Sequence, residues 1–149
     1  MRLIAARIIL LGFALVSGVM GCHDAWTKHF ESLDSARKDG LVDKGWIPRF
    51  IPEDSTNIVV SGDLDSGVSM GSFFSKNSDS LHKRCLTASD SFPVPDYALR
   101  WLDMGGTANG DAAALKIKGY DVLDCGVEGF DVAYSQSKRQ FYYWTPRKK

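Results

Sequence analysis

Across residues 26–38 the apolar side chains Trp26, Phe30, Leu33 and Ala36 recur every third or fourth position. They are followed by Arg37-Lys38 and then Gly40, a spacing that predicts one amphipathic helix with a glycine stop. Residues 41–55 break that rhythm. Pro48, Pro52 and Gly45 forbid a regular element, while Trp46, Ile47, Phe50 and Ile51 demand burial, so a stiff packed crossing segment is predicted. From residue 56 the period shortens to two. Asn57-Ile58-Val59-Val60-Ser61 and the run 67–74 read as strands joined across Gly62-Asp63-Leu64-Asp65-Ser66, a turn-rich link that suits a hairpin.

Ser78 or Asp79 caps a short predicted helix through Leu81, Arg84 and Cys85, and a second starts after Pro95 and carries Tyr97, Leu99, Trp101 and Leu102. Residues 105–110 are a glycine-rich loop, a lid candidate or simply a connection. Three more strands are predicted: Ala114-Leu115-Lys116-Ile117-Lys118 continuing to Leu123, then 129–134 and 140–144, the last two joined by Ser135-Gln136-Ser137-Lys138. The order points to an α+β domain: a small antiparallel sheet of about five strands packed with two to three short helices.

The N-terminus carries a different signal. Arg2 and Arg7 precede Ile8-Ile9-Leu10-Leu11-Gly12-Phe13-Ala14-Leu15-Val16, a positive region followed by an apolar stretch too short to span a bilayer comfortably. Ser17-Gly18-Val19-Met20-Gly21-Cys22 then resembles the lipobox of bacterial lipoprotein signals, although Met20 departs from the usual Ala, Ser or Thr. The expected organisation is a signal peptide over residues 1–21 and one globular domain over 22–149, tethered to the membrane by lipid on Cys22. Secretion with a cut near Gly18 and an uncleaved anchor helix are the competing readings. His23, with no aspartate after the cysteine, resembles the pattern that permits export to the periplasmic face of the outer membrane in a Gram-negative cell.

Composition fits a folded domain: of 149 residues, 44% are hydrophobic and 24% charged. Loss of Arg2 and Arg7 turns 18 basic and 18 acidic residues into 16 against 18, a formal charge of −2, which argues against a nucleic-acid partner. The terminal Arg147-Lys148-Lys149 could touch anionic head groups or fray in solvent. Of 3 cysteines, lipidation consumes one. Cys85 and Cys125 remain as an even pair for an oxidising compartment, expected as a disulfide with two buried thiols as the alternative.

Motifs for catalysis are sparse. Gly67-Val68-Ser69-Met70-Gly71 matches the five letters of a nucleophile elbow, but it falls within a predicted strand instead of a strand-to-helix turn. Asp63 and Asp65 suit a hairpin tip better than a calcium loop, and Asp121, Asp124 and Glu128 have no demonstrated cleft between them. His82, three residues before Cys85, lacks the partners of a metal site. No catalytic residue, metal or cofactor is predicted. The candidate binding residues are aromatic: Trp46 between the prolines, and Tyr142 with Trp144, which share a strand face opposite Phe141 and Tyr143.

Asp34-Ser35-Ala36-Arg37-Lys38-Asp39-Gly40-Leu41, followed by Gly45-Trp46-Ile47-Pro48, Phe50-Ile51-Pro52 and Ser55-Thr56-Asn57-Ile58, resembles the N-terminal signature of a family of small uncharacterised bacterial lipoproteins, similar to the YbbD-type head domain. Aromatic pairs near the last strand of that family are matched by Tyr142, Tyr143 and Trp144. The resemblance implies a shared fold and carries over no catalytic residue. The expected role is a membrane-anchored, non-enzymatic binding or inhibitor-like module whose partner is an envelope protein or glycan. A structural or assembly accessory is the alternative, and a cell-envelope hydrolase a more distant one.

Overall fold

The structure, a computed structural model, describes residues 24–102 and 110–146. An edge strand, β1 (Ala25–Ser32), leads into helix α1 (Leu33–Lys38). Residues 41–55 then cross to the hairpin β2 (Thr56–Asp63) and β3 (Val68–Phe74). Helix α2 (Asp79–His82), the short strand β4 (Leu86–Thr87) and helices α3 (Asp96–Trp101) and α4 (Ala112–Ile117) follow. Strands β5 (Tyr120–Asp124), β6 (Asp131–Ser135) and β7 (Gln140–Trp144) complete the fold. The strands form one sheet in the order β1-β2-β3-β7-β6-β5-β4, and every neighbouring pair is antiparallel. The α+β class and the antiparallel sheet agree with the sequence reading. The sheet is larger than expected, with seven strands instead of about five, and four helices stand among the described residues.

Two elements differ from expectation for identifiable reasons. The helix expected over 26–38 is split: Trp26 and Phe30 also share a face at a period of two, and β2 offers that stretch a full set of backbone partners, with Trp26 opposite Gly62 and Phe30 opposite Ile58. The helix starts only where Ser32 turns the chain, its side chain accepting from the Ser35 amide while the Ser35 hydroxyl accepts from the Ser32 amide. The strand expected from Ala114 is instead α4, because Asp111 accepts from the Ala114 amide as an N-cap and an Ala-Ala-Ala-Leu-Lys run follows. Ile117, the β-branched residue that suggested a strand, is 86% exposed at the end of that helix.

Each sheet face carries a core. On one, Leu33 and Ala36 of α1, Ile47, Phe50 and Ile51 of the crossing segment, and Leu81 cover Ile58, Val60, Phe73, Val132, Phe141 and Tyr143. On the other, Ala98 and Leu99 of α3, Ala112 and Leu115 of α4, and Val94 cover Tyr120, Val122, Ala133 and Trp144. Cys85 and Cys125 form a disulfide, buried in the first core. Cys85 lies between α2 and β4 instead of on the helix, so the bond clips β4 to β5 beside the pair Leu86–Asp124.

Candidate functional site

The start of β1, the β2–β3 turn and the end of β7 come together at one end of the sheet. Ala25 pairs with Asp63, Asp63 with Val68, and Ser69 exchanges hydrogen bonds with Thr145 just past β7. A cleft of about 720 Å³ opens there, within the size range of small-molecule sites. Val68, Met70, Ala25 and Pro146 give it apolar surface; Ser61, Ser66, Tyr97 and Thr145 add hydroxyl groups. Tyr97 reaches it from α3 and donates its phenolic proton to the Thr145 carbonyl, fixing the helix against the end of β7. Asp63 is the one charged residue in the lining, and its Oδ1 accepts from the amides of Asp65 (2.9 Å) and Ser66 (3.3 Å), capping the turn. That engagement makes the Asp63–Asp65 pair a hairpin-tip device.

Beside the cleft, on the opposite face, Trp26 and Trp46 stack edge to face with centroids 5.1 Å apart, both half-buried. Gly62 makes this pair possible: a Cβ there would lie 2.6 Å from the Trp26 ring and 2.8 Å from that of Trp46. Trp46 is held from below. Its carbonyl accepts from the Ser69 hydroxyl at 2.6 Å and from the Tyr143 hydroxyl at 3.3 Å. The Gly-x-Ser-x-Gly match is thereby explained as architecture. Ser69 lies buried within β3 with its proton committed to Trp46, and Gly71 leaves room for Tyr143, whose hydroxyl would sit 2.5 Å from an added Cβ. Burial pushes the Tyr143 phenol far above its ordinary range, against the pull of Ser69, so it acts as a fixed donor.

Trp144 corrects the expectation of an exposed Tyr142–Trp144 face. It is 1% exposed, packed into the second core that α3 and α4 build over β7. Tyr142 is half-buried, edge to face with Tyr120 at 5.9 Å, and burial followed by the neighbouring Tyr120 raises its phenol pKa. The alternation was read correctly, but helices on both faces leave neither pair of β7 aromatics as a platform. None of the three aromatic candidates lines the cleft: Trp144, paired with Met70 and followed by Thr145, is buried behind it, and Trp46 lies across Gly62 on the other face of the sheet.

The acidic candidates are each engaged locally. Asp121 accepts from the Gln136 amide, Asp124 from the Gly126 amide, and Glu128 faces Arg84 at 3.8 Å. No group of three or more His, Cys, Asp or Glu side chains gathers in metal-binding fashion among the described residues. His82 is exposed at the end of α2, and Cys85 beyond it is committed to the disulfide. Sequence reasoning passed over Asp131, which is 3% exposed on β6 opposite Trp144. Its placement beside Ala133 in a period-two strand was the available signal. Burial, and then the charge of Asp124, push its pKa to about 6. The Cys125 amide and the Trp144 indole oppose that rise, although Asp131 Oδ1 and Trp144 Nε1 do not reach hydrogen-bond geometry.

Cys22, His23, residues 105–109 of the glycine-rich loop and the tail Arg147-Lys148-Lys149 lie outside the described residues. Among the described residues no helix is long and apolar enough to cross a membrane.

Comparison with known proteins gives one family. The family model of the YbbD head domain matches residues 24–74, from the residue before β1 to the end of β3, and so contains the segments between Asp34 and Ile58 on which the resemblance rested, but not Tyr142, Tyr143 and Trp144. The match includes Trp26, Trp46 and the β2–β3 side of the cleft, and stops before the disulfide, α3 and the strands β5 to β7. No curated protein and no solved structure matches the chain.

Proposed function

We propose that this protein is a non-enzymatic binding domain of the bacterial cell envelope, tethered by lipid on Cys22 and presenting the cleft end of its sheet to a ligand near the membrane. The carrying observation is the shortness of the connection. Only His23 and Asp24 separate Cys22 from β1, and Asp24 already accepts from the Leu64 amide of the β2–β3 turn at 3.4 Å. Three residues of chain reach about 10 Å at most, so lipid on Cys22 would hold this end of the domain against the bilayer. Multiple acyl chains on one residue give stable anchoring, where a single chain is marginal at about 0.8 kcal/mol per buried methylene.

The cleft, with the Trp26–Trp46 pair beside it, supplies the binding surface of this reading. It combines concavity, apolar surface and hydroxyl groups, the usual composition of a ligand site. The partner is an envelope protein or glycan.

Metabolic labelling with an alkyne palmitate analogue, together with the mass of the mature chain, tests the tether. The expected result is a chain starting at Cys22 that carries acyl label, and a Cys22→Ser chain without label. A mature protein that begins near residue 18, or one that carries no acyl group, would refute it. Membrane retention alone does not decide, because an unprocessed Cys22→Ser chain keeps its apolar segment.

A further inference from the structure

We propose that the turn between β5 and β6, residues 126–129, is a proton-sensitive hinge: it stays closed while the opposed carboxyl groups of Asp124 and Asp131 carry one charge between them, and opens when both are ionised. The device depends on neither the lipid tether nor the identity of a cleft ligand.

Register brings the two carboxyl groups together. Val122 pairs with Ala133 and Leu123 with Val132, so one step further along the ladder Asp124, the last residue of β5, stands opposite Asp131, the first of β6. Alternation puts both on the face of Val122 and Ala133, which belongs to the second core. Like charges directly opposite on neighbouring strands repel, and here one of them is out of water, since Asp131 is 3% exposed. Its Oδ1 has no hydrogen-bond partner, and neither has Nε1 of Trp144, its neighbour on β7. A protonated Asp131 removes the repulsion. An ionised one is a buried charge short of donors, and the exposed turn beside it is the segment that can yield.

That turn can move without the rest of the sheet, because its two flanks are fixed separately. Cys125 is held by the disulfide to Cys85, and Phe130 is buried edge to face against Tyr143 at 5.6 Å. Between them Gly126, Glu128 and Gly129 are exposed and carry few bonds. The Gly126 amide donates to Asp124 Oδ1 at 2.9 Å, the Glu128 amide to the Cys125 carbonyl at 2.8 Å and the Gly129 amide to the Gly126 carbonyl at 3.0 Å. Glu128 meets Arg84 only at 3.8 Å. Exposed segments with few contacts open at a fraction of the global unfolding free energy. Gly129 also lines the cleft, so opening the turn alters one wall of it.

The direction of the response follows from the groups that face Asp131. These are Asp124 from β5, the Cys125 amide from the turn and the Trp144 indole from β7. On the helices over this face, Asp96 and Arg100 of α3 are exposed, and Lys116 of α4 is bound to Asp90 and to the Ala88 carbonyl. Burial and the charge of Asp124 therefore set the Asp131 pKa near 6 in the closed turn, against 3.8 in water. Opening wets the carboxyl and releases its proton, so the open form gains as pH rises.

Hydrogen-exchange NMR on the intact, oxidised chain tests the hinge, with rates corrected for the intrinsic dependence of exchange on pH. The Glu128 and Gly129 amides are expected to exchange at least a hundredfold faster than those of β6 and β7, and their opening constant to rise about tenfold between pH 5 and 7.5. Asp131→Asn should hold the rise below twofold. Asp124→Asn, which keeps an acceptor for the Gly126 amide, should reduce it, and this second variant decides if Asp131→Asn does not fold. Turn amides as protected as those of β6 and β7 would make the opening global and overturn the hinge. So would a rise below twofold in the natural chain, or a full rise that persists in either folded variant.

Discussion

Asp131 is the residue whose chemistry is most at odds with its surroundings. A carboxyl group with a pKa near 6, against 3.8 in its ordinary state, favours the protonated folded form. Below about pH 4 folded and unfolded chains are both protonated there, and Asp131 contributes no penalty. As pH rises through 6 the unfolded chain has already ionised and the folded one must follow, so stability is lost across that window and stays low above it. The shift corresponds to about 2 kcal/mol once partial access of water is allowed for. Asp131→Asn is therefore expected to flatten the dependence between pH 4 and 7 and to raise stability at pH 8, measured by urea unfolding at both ends. An unchanged pH profile in the variant would assign the dependence elsewhere. The groups facing it are Asp124 from the end of β5, the amide of Cys125, and the Trp144 indole from β7.

Gly71 and Ser69 show the opposite case, residues in which a catalytic-looking pattern is structural. A methyl group at Gly71 would stand 2.3 Å from the Val59 carbonyl oxygen, a backbone atom that cannot swing away. Gly71→Ala is expected to destabilise by about 3 kcal/mol, and Ser69→Ala, which takes one donor from the Trp46 carbonyl, by about 1 kcal/mol. Both are read from unfolding midpoints, and the same variants should leave cleft ligand binding within twofold when folded. The five letters were legible in the sequence, and so was their place in a strand. What the sequence could not show is that Trp46, 23 positions earlier, supplies the carbonyl that Ser69 satisfies.

At the scale of elements, local signals held where they were chemically explicit. Pro95 before α3, the turn between β6 and β7, and the hairpin β2–β3 were all legible because each carries its own stop and start residues. They failed where two periods fit the same side chains. Trp26 and Phe30, four apart, satisfy both a helix and a strand, and only the partner strand β2 decides. The two-residue β4 left almost no trace, since it exists by pairing with β5 beside the disulfide. That bond spans 40 residues and encloses β4, α3, α4 and β5. The chain-entropy account gives it about 4 kcal/mol. Reduction under native conditions is expected to lower the unfolding free energy by roughly that amount, with Cys85→Ala/Cys125→Ala behaving like the reduced protein. A loss below about 1 kcal/mol would mean that the open chain already holds these elements together.

For the whole molecule, topology makes the two ends of the sheet unlike. The antiparallel order puts Ala25, the β2–β3 turn, the end of β7 and the cleft at one end, and the β6–β7 turn with Lys138 and Arg139 at the other, about 20 Å away along the strands. None of this polarity was readable from composition, because it depends on β7 inserting between β3 and β6. It gives the proposed tether a geometric consequence. With Cys22 acylated, the short His23-Asp24 link places the cleft end at the bilayer and the β6–β7 turn away from it. Leu64, 59% exposed at the tip of the β2–β3 turn, and Lys138 are suitable sites for single fluorescent labels. In vesicles that carry a head-group quencher, a label at Leu64→Cys is expected to be quenched at least threefold more than one at Lys138→Cys. Insertion of a flexible twenty-residue linker after His23 should erase the difference, since the domain would then tumble above the surface. Equal quenching at the two sites with the natural link would show that three residues do not orient the domain, and the ligand would then be sought away from the membrane instead of at its surface.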